Sequence, residues 1–473
     1  MMLELNKVKT YLEELNQFLK DSHIEGSLTY RSEVSHLVRA GRSQISLNVE
    51  ECSTRLYIDL FKVKKKISAV VSNQLDRELD AIKTFIVELY NKIDFMSEVE
   101  HLRPMRPIAQ GELNQNKYDQ TLVNLESAKL VELFSKVRSN FAEEINAGEV
   151  DFSGAFSAGV HGYCVINTLV EKAIYYQGSD WNVEVVLQLL KDDKKEIREA
   201  RVGEFFNEFN SDEIINGLKK TYEIKKETTR LDLEPGEYDI VFSSDAFAEI
   251  TNYMSWMALS GERFEYQSGM LQKDKHAIGT KVFGDNVTIS DDPNDPDILY
   301  ARPVGLNGVE RKFFPLITDG VLSNLFYSDK DSCDRFSLDI NNDFSVASIK
   351  VHQGDGPETF DQVVKNSKKK TLFIPYIHYM NITNAAKGEF TGTSRFGTLL
   401  MENGKITSHL YNLRINDSYH RIFNNIDWLS SKLAHVNTSD TYGMRSSSSI
   451  TCPSYVKVCS VNITGSSKVK ELK

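Results

Sequence analysis

The feature that most constrains this fold is a switch between two spacings of apolar residues near the start of the chain. Residues 1–21 and 75–93 carry apolar side chains at close to helical spacing. Between them, apolar and polar residues alternate in SQISLNVEE, TRLYIDLFKV and KISAVVS, a period typical of half-buried strands. The lysine cluster KVKKK at 62–66 indicates a solvated turn. Helices flanking antiparallel strands predict a small α+β unit over residues 1–95.

The length of the chain predicts two or three domains, because 473 residues are too many for one simple core. A polar connection with two prolines and a helix at about 123–146 make up residues 96–146. Strands follow over 147–230, with Gly178-Ser-Asp as a turn. Short strands dominate afterwards, separated by the turn ITDG (317–320) and the Asn-Gly hairpin MENGKI (401–406). We predict an α+β protein with an N-terminal strand/helix domain, 1–230, and a larger strand-rich domain of mixed or antiparallel sheet, 231–473.

Composition excludes several classes of function. With 41% hydrophobic and 26% charged residues, the chain is typical of a globular protein, and it has no apolar run of eighteen residues. Its formal net charge of -11 disfavours nucleic-acid binding. The first residues lack the apolar centre of a signal peptide, and five scattered cysteines suit reduced thiols. We therefore expect a cytoplasmic location.

No segment carries a recognisable catalytic or metal-binding pattern. No two of the ten histidines are three, four or five residues apart, and Cys452 and Cys459 are expected on opposite faces of a strand. The aspartates of 291–297 lack the glycine and distal glutamate of a calcium loop, so a solvated acidic loop is predicted. GTSRFGT (392–398) lacks the strand–turn–helix context of a hydrolase nucleophile.

Several segments in order nevertheless resemble the TldD/PmbA family of peptidase-related proteins. Each is weak alone, but their order and spacing together extend over nearly the whole chain. They are EYDIVFSSDAFAEI (237–250), ALSGERF with QSGML (258–271), SDDPNDPDILYARPVGLNGVERKFFPLITDGVLSNLFYS (290–328), KGEFTGTSRFGTLLMENGKI (387–406) and CPSYVKVCSVNITG (452–465).

The helix EITNYMSWMALSGERF departs from the catalytic branch of that family. In the TldD branch this helix carries His-Glu-x-x-x-His, and a later cysteine completes a zinc site. The resemblance places these positions on Asn252, Tyr253 and Met257, which are poor zinc ligands, and SDTYGMRSSSS (439–449) has no cysteine. The chain thus resembles the PmbA/TldE-like branch. We expect a regular helix with an apolar face through Met257, capped by Ser244 or Asp245.

The resemblance implies a non-catalytic, metal-free subunit that pairs with a TldD-like catalytic chain acting on small or unfolded peptides. Zinc is then expected only on the partner. This chain is expected to complete the dimer and to help hold the peptide. For a peptide bound by sheet augmentation, we predict contacts from five positions near a hairpin; a plain turn is the alternative. They are Thr391, Thr393, Ser394, Arg395 and Gly397.

Two other functions stay open. One is a self-associating, peptide-binding or scaffold protein without a peptidase partner, favoured by the absence of glycines in CSTRLYIDLFKVKKK, where the family usually has them. The other is an enzyme with non-metal chemistry, although no spacing of serine, cysteine, histidine and acid indicates one. The sequence also leaves open whether a dimer would contain one kind of chain or two.

Overall fold

A computed structural model describes residues 5–72, 79–111, 116–191, 195–439, 445 and 448–466. Within these ranges the chain forms three sheets, and helices cover or separate them. No helix in the described ranges combines the length and the apolar character needed to cross a bilayer. The predicted α+β class with mixed and antiparallel sheets is confirmed.

The N-terminal sheet is built on long antiparallel strands in the order β3-β2-β1-β5-β6, with β4 and β7 both pairing with β6. Only the short β4 runs parallel to its neighbour. The strands are β1 (Glu25–Gly41), β2 (Gln44–Lys62), β3 (Lys65–Ser72), β4 (Asn116–Lys117), β5 (Val150–Asn167), β6 (Ile174–Leu189) and β7 (Lys195–Gly203).

Amphipathic helices bury this sheet in two separate hydrophobic clusters. The first helix contributes Val8, Leu12, Leu15 and Leu19 to one cluster, as its helical spacing predicts. The other cluster lies under the fourth and sixth helices. The helices are α1 (Leu5–Asp21), α2 (Leu79–Asn91), α3 (Gln120–Val123), α4 (Ser127–Ser139), α5 (Ala142–Asn146) and α6 (Ser211–Glu227).

Several local predictions for this half were wrong. The strand β1 and the helix α6 were not predicted, and 123–146 contains two helices, α4 and α5, rather than one. The predicted turn at Gly178 lies inside β6. A Cβ atom there would be 2.7 Å from the Tyr176 hydroxyl and 2.8 Å from His161 Nε2, so this glycine permits close packing instead of a turn. The turn at KVKKK is confirmed, while 75–78 and 112–115 lie outside the described residues.

The C-terminal half contains two sheets. One has the order β12-β11-β10-β13-β22-β21, and the other β15-β16-β19-β23-β9-β14-β17-β18-β8, with β20 also beside β23. Their strands are β8 (Thr229–Arg230), β9 (Gly236–Ser243), β10 (Ile289–Asp291), β11 (Phe314–Thr318), β12 (Val321–Leu322), β13 (Ser348–Val351), β14 (Thr371–Ile374), β15 (Tyr376–Asn384), β16 (Glu389–Arg395), β17 (Leu399–Glu402), β18 (Lys405–His409), β19 (Leu413–Ser418), β20 (Ile426–Leu429), β21 (Leu433–Asn437), β22 (Ser449–Pro453) and β23 (Tyr455–Ser466).

The turn predicted at ITDG and the hairpin predicted at MENGKI are both confirmed. Asn403 and Gly404 have φ values of 53° and 76° and join β17 to β18, and Asp319-Gly320 joins β11 to β12 in the same way. The two residues of β8 already pair with β18, although the predicted division at 230/231 assigns them to the first domain. That division remains a prediction.

One long helix lies between the two C-terminal sheets and contacts strands of both. Its buried residues join the largest hydrophobic cluster of the described chain. The helices of this half are α7 (Ser244–Ala258), α8 (Gly261–Glu265), α9 (Lys330–Phe336), α10 (Phe360–Asn366) and α11 (Tyr419–Asn424). The position of α7 determines where a site can form.

Candidate functional site

The helix α7 presents one polar stripe and one apolar face. Asp245, Glu249, Asn252 and Trp256 are spaced by four, three and four residues, so they share one side of the helix. None of them is buried. Most of the opposite side is buried in the hydrophobic cluster. The Ser243 hydroxyl caps the helix by accepting from the Ala246 amide, so the predicted cap at Ser244 or Asp245 is wrong by one or two residues.

The polar stripe forms a wall of a cleft between the N-terminal sheet and the C-terminal half. The cleft has a volume of about 240 Å³. Strands β6 and β7 line one side, and α7, the start of β15 and residues 435–439 line the other. A second cavity of about 430 Å³ lies next to it and shares Asn252 and Thr438 with it. Tyr253, Ser255 and Trp256 also line this second cavity.

Arg198 of β7 holds the two sides of the cleft together. Its Nε donates to Glu184 Oε1 over 3.0 Å, and its Nη1 donates to Asp245 Oδ1 over 3.1 Å. Its guanidinium also lies 4.5 Å from the ring centre of Tyr376, at the start of β15. Burial disfavours the charged guanidinium, but the carboxylates of Asp245 and Glu184 hold the pKa of Arg198 above its usual value.

Glu249 is the acid of the cleft that has no bonded partner among the described residues. It makes no hydrogen bond or ion pair with any residue that the structure describes, although it lies one helical turn from the bound Asp245. Burial raises the pKa of the Glu249 carboxyl, and Arg198 partly opposes that shift. Burial also raises the pKa of Tyr253, and the charge on Glu249 adds to it.

Part of this chain matches the model of a known protein family. The family model described as the PmbA/TldA metallopeptidase C-terminal domain matches residues 235–465. Residues 235–465 are a PmbA/TldD-family domain. No curated protein sequence matches the chain.

Solved structures extend the likeness to nearly the whole fold. TldE from Thermococcus kodakarensis is similar with a TM-score of 0.80 and 15% identity, covering 96% of this chain and 100% of that one. A candidate modulator of DNA gyrase from Thermotoga maritima has a TM-score of 0.78 and 14% identity, covering 96% and 99% of the two chains. A similarly described protein from Bacteroides thetaiotaomicron has a TM-score of 0.77 and 15% identity, covering 98% and 100%. At these identities the likeness establishes the fold alone.

The three positions aligned with the TldD zinc motif do not converge in this chain. Asn252 and Tyr253 line the cavities, but Met257 is only 3% exposed and packs in the core. The prediction of a regular helix is confirmed, since α7 is α-helical without interruption from Ser244 to Ala258. Residues five apart on such a helix are about 140° apart around its axis. An amide, a phenol and a buried thioether in this arrangement do not fit a zinc ion.

Other metal ligands do not replace them in the described part of the chain. No group of three or more His, Cys, Asp or Glu side chains there is placed to hold a metal ion. Most of the segment in which the family's later cysteine is expected, 440–444 with 446–447, lies outside the described residues. Cys452 is buried at the start of α7, with its thiol 3.6 Å from the carbonyl oxygen of Ser244, and burial raises its pKa.

The five positions predicted to bind peptide lie on and after β16, which is an inner strand of its sheet. It pairs with β15 on one side and with β19 on the other. A peptide therefore cannot add as a further strand along Glu389–Thr393 of β16, because both sides of the strand are already paired there. Thr391, Thr393 and Arg395 lie on the half-exposed face of the strand.

Two of the five positions have structural roles instead. Ser394 is completely buried, and its hydroxyl accepts from the Leu413 amide and from Thr398, both over 2.8 Å, so it is not accessible to a peptide. Arg395 makes a two-pronged ion pair with Glu196 of β7, at 2.8 and 3.0 Å. Gly397, with a φ of 119°, lines a cavity of only about 20 Å³ beside that pair. Peptide contact at the remaining positions stays a prediction.

The predicted acidic loop is only partly solvated. Asp291 is completely buried and paired with the buried Arg311, whereas Asp295 and Asp297 accept from Lys350 at 2.8 and 3.0 Å. These aspartates therefore form ion pairs with cationic side chains of the protein.

Sequence reasoning missed Arg198 and Glu249. The spacing of Asp245, Glu249 and Asn252 was a readable signal, since it places three polar residues on one face opposite an apolar one. Arg198 had no such signal, because its partners come from distant parts of the chain.

Proposed function

We propose that this chain is the non-catalytic, metal-free subunit of a TldD/TldE-type metalloprotease that acts on small or unfolded peptides. One observation carries the proposal: the cleft face of α7 offers Asn252 and Tyr253 where the TldD motif has its first histidine and its glutamate, while Met257 lies in the core. The TldE-like fold over 96% of the chain supports the same assignment. A TldD-like partner would then supply the zinc and the general base, in the cytoplasm.

In this proposal the chain completes the assembly and helps hold the peptide. The cleft is lined mostly by polar side chains, which suits an extended backbone with unsatisfied amide groups. Strand β15 is the last strand on its side of the ten-stranded sheet within the described residues, and its first residue, Tyr376, lines the cleft. The free side of β15 therefore replaces β16 as the place for backbone pairing.

The decisive experiment compares the chain alone, a TldD-like chain from the same genome alone, and the two mixed. We expect zinc on the TldD-like chain only, and cleavage of an unstructured peptide that needs both chains. Stoichiometric zinc on the isolated chain would refute the metal-free assignment.

A pair of variants then tests the cleft. Asn252→Trp fills the shared wall of the two cavities and is expected to lower cleavage by the mixture without preventing association. Asn91→Trp, at an exposed position at the end of α2, is the matched control and should leave cleavage unchanged. Equal activity of both variants would show that the cleft does not contact the peptide.

A self-associating scaffold is the second candidate, and one observation favours it. Residues 44–54 of β2 pair only with β1 in the described chain, because β3 pairs with 55–62. Ile45 and Leu47 are exposed on this segment. An open, partly apolar strand edge readily pairs with another chain. Failure to bind any TldD-like chain, together with a concentration-dependent dimer, would favour this candidate.

A further inference from the structure

We infer that Glu249 is the receptor for an ammonium group of the bound ligand, either the amino terminus of a peptide or a lysine side chain. The inference rests on the proposed function, in which the cleft holds a peptide. It adds a chemical preference that neither the family resemblance nor the fold supplies.

The charge balance of the cleft singles out Glu249. The cleft is lined by three carboxylates and two guanidinium groups. Arg198 is bound to Glu184 and Asp245, and Arg201 lies 2.9 Å from Glu199, which is outside the cleft lining. Glu249 alone among the three carboxylates has no cation within bonding distance in the described chain. Among the described residues, Glu249 is therefore the cleft carboxylate without a bonded cation, and Arg198 acts on it only at longer range.

Partial burial makes the lack of a bonded cation unfavourable for the Glu249 carboxylate. An ionised carboxylate that is partly removed from water is destabilised unless a cation or a donor reaches it. The raised pKa of Glu249 reflects that burial. A ligand cation would restore the lost interaction, and its binding would gain a charge-assisted hydrogen bond.

The surroundings suit an ammonium group better than a metal ion. An ammonium donates three hydrogen bonds, and Asn252, Asn437 and Thr438, whose side chains carry acceptor oxygens, line the same cleft as Glu249. A divalent cation would require several ligands from the protein, and the described residues contain no group of three suited to it. The volume of about 240 Å³ accommodates the end of a peptide or one side chain.

The test uses the full chain and three unstructured glycine–serine peptides of six residues, each with a carboxy-terminal fluorophore. One has a free amino terminus, one is acetylated, and one is acetylated and carries a single lysine. Fluorescence anisotropy gives the three affinities at neutral pH. We expect acetylation to weaken binding roughly tenfold, which corresponds to one charge-assisted hydrogen bond. Recovery by the lysine peptide would assign a side-chain ammonium, and no recovery would assign the amino terminus.

Glu249→Gln keeps the size of the side chain and removes its charge. It is expected to bind the free and acetylated peptides equally and to leave the affinity for the acetylated peptide unchanged. Glu234→Gln, at an exposed position, is the matched control and should keep the tenfold difference. Thermal melting checks that both variants fold, and the comparison of peptides on the unsubstituted chain does not depend on either variant.

The outcomes separate the two proposals. Equal binding of the free, acetylated and lysine peptides to the unsubstituted chain would overturn the role of Glu249 and leave peptide binding intact. An undiminished difference in folded Glu249→Gln would also overturn it. If none of the peptides binds, the chain alone does not hold peptide in this cleft, and the peptide-holding part of the proposed function fails together with the ammonium site.

Discussion

Replacing Met257 by histidine tests whether the TldD motif could be rebuilt on this helix. Met257 is 3% exposed and lies in the main hydrophobic cluster. Losing its buried surface costs about 1.5–3 kcal/mol, and placing an imidazole there without a hydrogen-bond partner costs a further ~1–3 kcal/mol. We therefore expect Met257→His to lower the free energy of unfolding by about 3–5 kcal/mol. Asn252→His, on the cleft side of the same helix, should change it by less than about 1 kcal/mol.

The assay is urea unfolding followed by circular dichroism, with zinc content measured on the same samples. The triple variant Asn252→His, Tyr253→Glu, Met257→His carries the complete motif, but its two histidines would lie about 140° apart on a regular helix. We expect this variant to be destabilised like Met257→His and to hold no stoichiometric zinc. A stable triple variant with one bound zinc ion would refute the reasoning, because it would show that α7 distorts readily and that its core face is not fixed by packing.

Three further predictions concern an ion-pair network, a buried histidine and a tight turn. Arg198→Met should lower the free energy of unfolding by about 2–3 kcal/mol, since it removes two charge-assisted hydrogen bonds. In a double-mutant cycle, Asp245→Asn should destabilise the Arg198→Met variant less than it destabilises the unsubstituted chain. Burial holds the pKa of His161 well below its usual value of about 6.5, so the unfolded chain takes up a proton that the folded chain does not. The free energy of unfolding should therefore fall as the pH drops below about 6.5. Urea unfolding should show a shallower fall for His161→Gln, by up to ~1.4 kcal/mol per pH unit. Equal slopes for the two proteins would contradict this. Gly320→Ala should lower the melting temperature markedly, because φ is 75° and the new Cβ would lie 2.2 Å from the carbonyl oxygen of Phe283; an unchanged melting temperature would show that this turn can rearrange.

Local sequence patterns were enough to predict the elements that are determined by neighbouring residues. The Asn403-Gly404 hairpin was predictable because two positive φ angles in succession favour these residue types. The first helix was predictable because its apolar stripe is set by its own spacing. The apolar face of α7 was predictable for the same reason. Gly178 shows the limit: its residue type suggests a turn, but packing against Tyr176 and His161 keeps it inside a strand.

The sequence by itself determined the α+β class, the spacing of the polar stripe on α7, and the substitution of the zinc-motif positions by Asn252, Tyr253 and Met257. These depend on residue type and on neighbours within a few positions. Only the tertiary structure decided that β16 lies between β15 and β19, that Arg198 is bonded on both sides of a cleft, and that Glu249 has no bonded partner among the described residues. The reason is physical: hydrogen-bond partners and uncompensated charges depend on which distant segments meet, and no short-range pattern records that.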